Sequence, residues 1–81
     1  MNYVYILQSE KDGSLYVGST KNLSERLRVH NAGKNRSTKS KLPWKLMRSE
    51  SYGSFSLALK REKFLKSGDG RRVLKRLLSS I

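Results

Sequence analysis

The stretch YVYILQSEKDGSLYVGST, residues 3–20, decides how the rest of the chain is read. Tyr3-Val4-Tyr5 is answered, after a polar segment containing the turn dipeptide Asp12-Gly13, by Leu15-Tyr16-Val17-Gly18. Both flanks are rich in the β-branched and aromatic residues that fit a pleated surface, so the stretch predicts a β-hairpin with tyrosines on both strands. A hairpin by itself asks only for stability. Any further role for the hydroxyls depends on what later elements place beside them.

Moving outward, STKNLSERLRVHNAGK carries helix signals: Asn22 as cap, Glu25 three residues on as its capping-box partner, and Asn31 to Gly33 as the stop. At about 100° per residue, Leu23, Leu27 and His30 fall on one side, with Arg26 one turn before His30. Residues 34–42 are polar, basic and aperiodic, which predicts a mobile surface loop. Trp44 to Tyr52 alternates loosely and suits a third strand, with Pro43 tolerable at its start. A second helix follows, capped by Ser54 and stopped at Gly68. A last helix, Arg71 to Ser79, offers Val73, Leu74, Leu77 and Leu78 to the core. The expectation is an α/β fold: a small three-stranded, largely antiparallel sheet covered by helices, in the order β-β-α-β-α-α.

The 81 residues suit one domain spanning 1–81 with a modest core. No cysteine is present, which removes disulfides and thiolate zinc sites. No apolar run is long enough for a membrane span and none reads as a signal peptide, so a cytoplasmic protein is expected. Charge is the most telling feature of the composition. Eighteen Lys and Arg stand against six Asp and Glu, and eight basic residues lie between Arg26 and Arg48 with no acid among them. Such a field attracts polyanions, nucleic acid first, with anionic lipid and acidic proteins as the other classes. Lys34, Arg36, Lys39 and Lys41 of the loop are the candidate phosphate contacts.

Two residues stand out against this background. On the second helix, Phe55, Ala58, Leu59 and Leu65 form an apolar arc, and Glu62 projects into its middle. A buried carboxylate needs a cationic partner, for which Arg26 and a divalent metal ion are the candidates, or a neighbouring Lys or Arg at a helix edge. His30 is the only histidine. Alone it is more often a packed, hydrogen-bonded residue than a catalyst. Together with Arg26, Glu62 and the tyrosines it forms a phosphodiester-cleaving set.

With these residues in view the chain resembles the GIY-YIG nuclease superfamily. Tyr3-Val4-Tyr5 stands for the first motif and Tyr16-Val17-Gly18 for the second, followed by Asn22-Leu23, Arg26 and His30, and then Glu62. Ser-Thr-Lys in the loop, PWKL at the third strand and LALKREKFLK on the second helix strengthen the likeness. The chain is most similar to small single-domain members related to the catalytic domain of UvrC-type excision nucleases, the YhbQ-like or UPF0213 proteins. The first motif has Tyr3 in place of glycine, and Ser19 stands where UvrC-type enzymes carry lysine. The resemblance implies a metal-dependent DNA endonuclease, used in repair or processing of DNA. Tyr5 and Tyr16 would line the active site, Arg26 contact the scissile phosphate, His30 assist, Glu62 hold the metal and Gly18 let the backbone come close to substrate. A nucleic-acid-binding module with little or no cleavage is the alternative, a structural component of a larger assembly is a third reading, and RNA stays open beside DNA.

The chemistry fits these residue types. A single carboxylate suits one Mg²⁺ or Mn²⁺ whose remaining positions go to water and substrate oxygen. Arg26 offers a planar fork of donors that matches phosphate. A phenol with an ordinary pKa of about 10 is a poor base at neutral pH, so Tyr5 or Tyr16 would take a proton only where cations favour the phenolate, and His30 could share that work.

Overall fold

The computed structural model describes residues 1–79, so the last two residues of the expected domain, Ser80 and Ile81, lie outside the described part. The chain runs β1 (Asn2–Ser9), β2 (Leu15–Thr20), α1 (Leu23–Asn31), a short 3-10 turn (Lys39–Lys41), β3 (Trp44–Tyr52), α2 (Phe55–Lys66) and α3 (Gly68–Ser79). The sheet order is β2-β1-β3 and both pairings are antiparallel, in agreement with the order and class expected from the sequence. Gly13 supplies the positive φ, 78°, that the tight connection from β1 to β2 requires.

β1 is central, and helices cover it on both sides, so Val4, Tyr5, Ile6 and Leu7 are all buried. Alternation then sorts the core into two halves. Val4, Ile6 and Val17 face Ala58 and Leu65 of α2 and Leu74 of α3. Tyr5, Leu7 and Trp44 lie on the other face, with Tyr16 and with Leu23 and Leu27 of α1. Tyr5 pairs with Gly18 and Leu7 with Tyr16, which puts both tyrosines on the α1 face.

Four local expectations need correction. The Asn22 side chain does accept from the Glu25 backbone N–H at 3.1 Å, but the Glu25 carboxylate turns to Arg28 at 2.6 Å, and Thr20 Oγ1 takes the Asn22 N–H instead. The second helix stops at Ser67, not Gly68. The Ser67 hydroxyl donates to the Phe64 carbonyl and accepts from the Gly70 N–H, so one residue closes α2 and opens α3 at Gly68, three residues before Arg71. Phe55 is 58% exposed rather than part of the buried arc, because it is the first residue of α2, and burial on that helix begins one turn later, at Ala58. Finally, residues 34–42 are not a free loop. Thr38 is buried, its carbonyl accepts from Trp44 Nε1 at 2.9 Å, and the Ser9 hydroxyl donates to the Lys41 carbonyl at 2.7 Å.

Candidate active site

Helix α1 lies across the tyrosine face and delivers Arg26 and His30 to it. The Tyr5 hydroxyl is 3.0 Å from His30 Nε2 and receives Arg26 Nε at 3.4 Å, while His30 Nδ1 is 2.9 Å from Thr38 Oγ1. The Tyr16 ring stacks edge-on against His30, with centroids 4.9 Å apart. Tyr5 and His30 are 1% and 0% exposed, whereas Tyr16 and Arg26 are half-buried. Tyr16 and Arg26 are therefore reachable from solvent, and Tyr5 and His30 lie behind them.

Hydrogen count orients this network. Arg26 can only donate, so the Tyr5 oxygen accepts from it. Every hydrogen finds an acceptor if the Tyr5 O–H donates to His30 Nε2, His30 Nδ1–H donates to Thr38, and the Thr38 hydroxyl donates to the Asn35 carbonyl at 3.5 Å. Burial pushes the His30 pKa below its ordinary value, and the Arg26 charge adds to this, so the ring is neutral at pH 7 and able to accept. Burial likewise raises the Tyr5 phenol, outweighing the hydrogen bond from Arg26. Arg26 favours a Tyr5 phenolate through its hydrogen bond and its charge, but burial outweighs it, so the hydroxyl keeps its proton in the protein alone. Arg26 stays firmly protonated, chiefly through its bond to Tyr5.

Glu62 arrives from the other layer. Its carboxylate accepts from the Ser19 hydroxyl at 2.6 Å and from Lys66 Nζ at 2.7 Å, with the side chain 16% exposed. Lys66, one helical turn on, is thus the cation that the buried carboxylate required; Arg26 is not its partner. Burial raises the Glu62 pKa, but the hydrogen bonds from Lys66 and Ser19 outweigh it and hold the group below the ordinary value, ionised at pH 7. The same Lys66 ammonium lies 5.9 Å from the centre of the Tyr16 ring, and the Glu62 charge contributes to raising the Tyr5 phenol. Both layers border strand β2, with the Tyr5 hydroxyl over Gly18 and Glu62 at Ser19. A Cβ at Gly18 would stand 2.5 Å from the Tyr5 hydroxyl, so glycine leaves the room which that hydroxyl occupies. The close approach that Gly18 permits within the chain is to a side chain of the chain itself.

Residues 1–74 match the family model described as the GIY-YIG catalytic domain. The chain belongs to the GIY-YIG family. It is 41% identical to a UPF0213 protein of Staphylococcus haemolyticus over 91% of its own length and 90% of that protein's. A UPF0213 protein of Syntrophus aciditrophicus is 48% identical, with 80% of this chain and 76% of the relative covered. The solution structure of a UPF0213 protein from Bacillus halodurans superposes with a TM-score of 0.58 at 33% identity, covering 95% of this chain and 85% of that one. The fold is therefore a nuclease-type GIY-YIG fold.

Within this GIY-YIG domain, Tyr5, Tyr16, Arg26 and His30 come together as one cluster, and Glu62 borders it through Ser19 and Lys66. Lys34, Arg36 and Lys39 are exposed on the segment that carries Thr38, while Lys41 is tied to the hairpin turn by Ser14 at 3.0 Å and Asp12 at 3.6 Å. Ser19 and Thr38 escaped the sequence reading, whereas a neighbouring Lys or Arg was among the expected partners of Glu62 and is Lys66. Lys66 was legible as an i,i+4 partner of Glu62. Ser19 follows from its place on the strand face opposite Tyr16, whereas nothing in a polar run marks Thr38 as buried. The other half-buried carboxylate, Glu50, is occupied by Arg61 through bonds of 2.9 and 3.2 Å.

Among the described residues no three His, Cys, Asp or Glu side chains converge, so this GIY-YIG domain offers no all-protein metal cage. Glu62 still fits one hard divalent ion. A carboxylate has about four lone-pair positions, and only two are used here, by Ser19 and Lys66. Mg²⁺ keeps several waters and binds through one or two carboxylates plus phosphate, which this donor set allows.

Proposed function

We propose that the protein is a divalent-metal-dependent endonuclease that hydrolyses phosphodiester bonds of DNA, as a single cytoplasmic nuclease domain used in repair or processing of structured DNA. The observation that carries this reading is geometric: the Glu62 carboxylate is held by Ser19 on β2, the strand that also carries the half-exposed Tyr16, while Arg26 reaches the neighbouring Tyr5 hydroxyl from α1. Glu62 would hold one Mg²⁺ or Mn²⁺, which when bound neutralises charge on the phosphoryl oxygens and leaving oxygen. Arg26 donates to a non-bridging oxygen of the scissile phosphate through the guanidinium nitrogens that Tyr5 leaves free. Tyr16 positions the attacking water and, as the phenolate that neighbouring cations favour, takes its proton to become the neutral phenol. Tyr5 and His30 are positioning residues: His30 fixes the Tyr5 hydroxyl, and Tyr5 fixes Arg26. Lys34, Arg36 and Lys39, with Lys41 as the least available, supply sequence-independent phosphate contacts, in keeping with the formal net charge of +12.

A binding module without cleavage is the second reading, favoured by one fact: Ser19 and Lys66 already engage both Glu62 oxygens. Incubating the purified protein with labelled branched, nicked, duplex and single-stranded DNA, in Mg²⁺, in Mn²⁺ and in EDTA, separates the two. Cleavage with either ion that EDTA abolishes is the expected result. Binding to all four DNAs with no cleavage under any condition overturns the enzyme in favour of the module.

A further inference from the structure

Beside the candidate active site, between the start of β2, the end of α2 and the first two turns of α3, lies a cleft of about 350 Å³. Its floor is apolar, made by Leu15, Val17 and Leu74. Its rim is cationic. Arg71 and Lys75 stand one helical turn apart on α3, both exposed, and among the described residues neither has an acidic partner. Tyr16 and Lys66 close the end that adjoins Glu62. Leu15 is one of the few large apolar side chains left on the surface.

A duplex backbone would use the cations and leave the apolar floor idle, because it presents sugar and phosphate while its bases stay stacked. An unpaired nucleotide uses both. Its base is a flat apolar plate with a π-face for Tyr16 and a hydrophobic floor beneath, and its phosphates meet two free cations. The volume falls in the range of small-ligand sites, roughly 300–1,000 Å³. We propose that this cleft seats an unpaired nucleotide of a single strand next to the scissile phosphate, held by Arg71 and Lys75 through phosphate and by Leu15 and Tyr16 through the base. The placement of the scissile phosphate rests on the nuclease reading, whereas seating of the nucleotide does not.

The test is equilibrium binding in EDTA, where no cleavage enters, of the full chain to a short fluorescent single-stranded oligothymidylate and to an intact duplex of the same length, over a range of salt. Arg71→Gln combined with Lys75→Gln should weaken single-strand binding by about tenfold and flatten the log–log salt dependence by about 1.4, the loss of two phosphate contacts at about 0.7 each. Leu15→Lys is the sharper variant. It adds a positive charge yet should weaken single-strand binding severalfold, because it fills the base's seat, while duplex binding is kept or strengthened. Unchanged affinity and slope in the double variant, or tighter single-strand binding by Leu15→Lys, overturns the subsite. If the expected binding losses occur in a protein that never cleaves DNA, the subsite stands and the nuclease reading falls; cleavage without the binding losses gives the reverse.

Discussion

The two faces of one three-stranded sheet are built from different materials. The face under α2 and α3 is mostly hydrocarbon, Val4, Ile6 and Val17 against Ala58, Leu65 and Leu74, and its half-buried carboxylates are Glu62, held by Ser19 and Lys66 beside β2, and Glu50 on β3, held by Arg61. The face under α1 holds Tyr5, His30, Thr38 and Arg26 in a directed set of hydrogen bonds, with Tyr16 edge-on against His30 and His30 fully buried. An apolar layer can be repacked by any residues of similar volume, whereas a buried polar layer fails when one member is lost. The contrast shows how so small a domain combines both needs: one layer supplies most of the packing, the other fixes directions, and the edge strand borders both, with the Tyr5 hydroxyl over Gly18 and Glu62 at Ser19.

The largest effects should divide the two tyrosines of the polar face. Tyr16→Phe removes only a half-exposed hydroxyl and should slow single-turnover cleavage by roughly 10² to 10⁴, with the melting temperature nearly unchanged. Tyr5→Phe takes the donor from His30 Nε2 and the acceptor from Arg26, so it should cost about 1–3 kcal/mol of stability besides lowering the rate. Thermal melts run beside the rate measurements check both halves. Near-parental rates in both variants would reduce the polar face to a packing device.

A smaller effect probes the same face by pH. Because the folded protein holds the His30 pKa below 6.5, the unfolded chain binds a proton that the folded one refuses. The contribution of His30 is complete above about pH 6.5 and shrinks as the pH falls from there toward the folded-state value. As His30 is the only histidine, His30→Gln should be less stable than the parent at pH 7.5 but flat across that window, as read by denaturant midpoints. A parent whose stability does not change between these pH values would mean that the ring is not held neutral by burial.

Much of this was legible before any coordinates. The hairpin, the caps Asn22 and Ser54, and a half-buried Glu62 follow from local chemistry and helical spacing, and the structure keeps them, although the arc around Glu62 loses Phe55. What escaped is what distant parts of the chain decide. Thr38 is buried because His30 and Trp44 bond to it from other elements, so an aperiodic basic run gave no sign of being anchored. Ser67 could not be read as a shared boundary because its hydroxyl serves two helices at once. Phe55 shares the helical period of the arc yet is exposed, because period gives the face of a helix but not how far along it the packing extends. Site roles were suggested by residue type and resemblance, and the division into accessible Tyr16 and Arg26 and hidden Tyr5 and His30 needed the packing.

The most direct test of a single site shared by the two faces is single-turnover cleavage of labelled DNA by Glu62→Gln, Tyr16→Phe and the double variant in Mg²⁺. Glu62→Gln keeps the side chain's shape and removes its charge, so its rate should fall by several orders of magnitude while the fold survives. Groups that serve one transition state are strongly non-additive, so the double variant should cleave about as slowly as the worse single one. Undiminished metal-dependent cleavage by a folded Glu62→Gln protein, or losses that multiply in the double variant, would contradict a single site at the edge of β2.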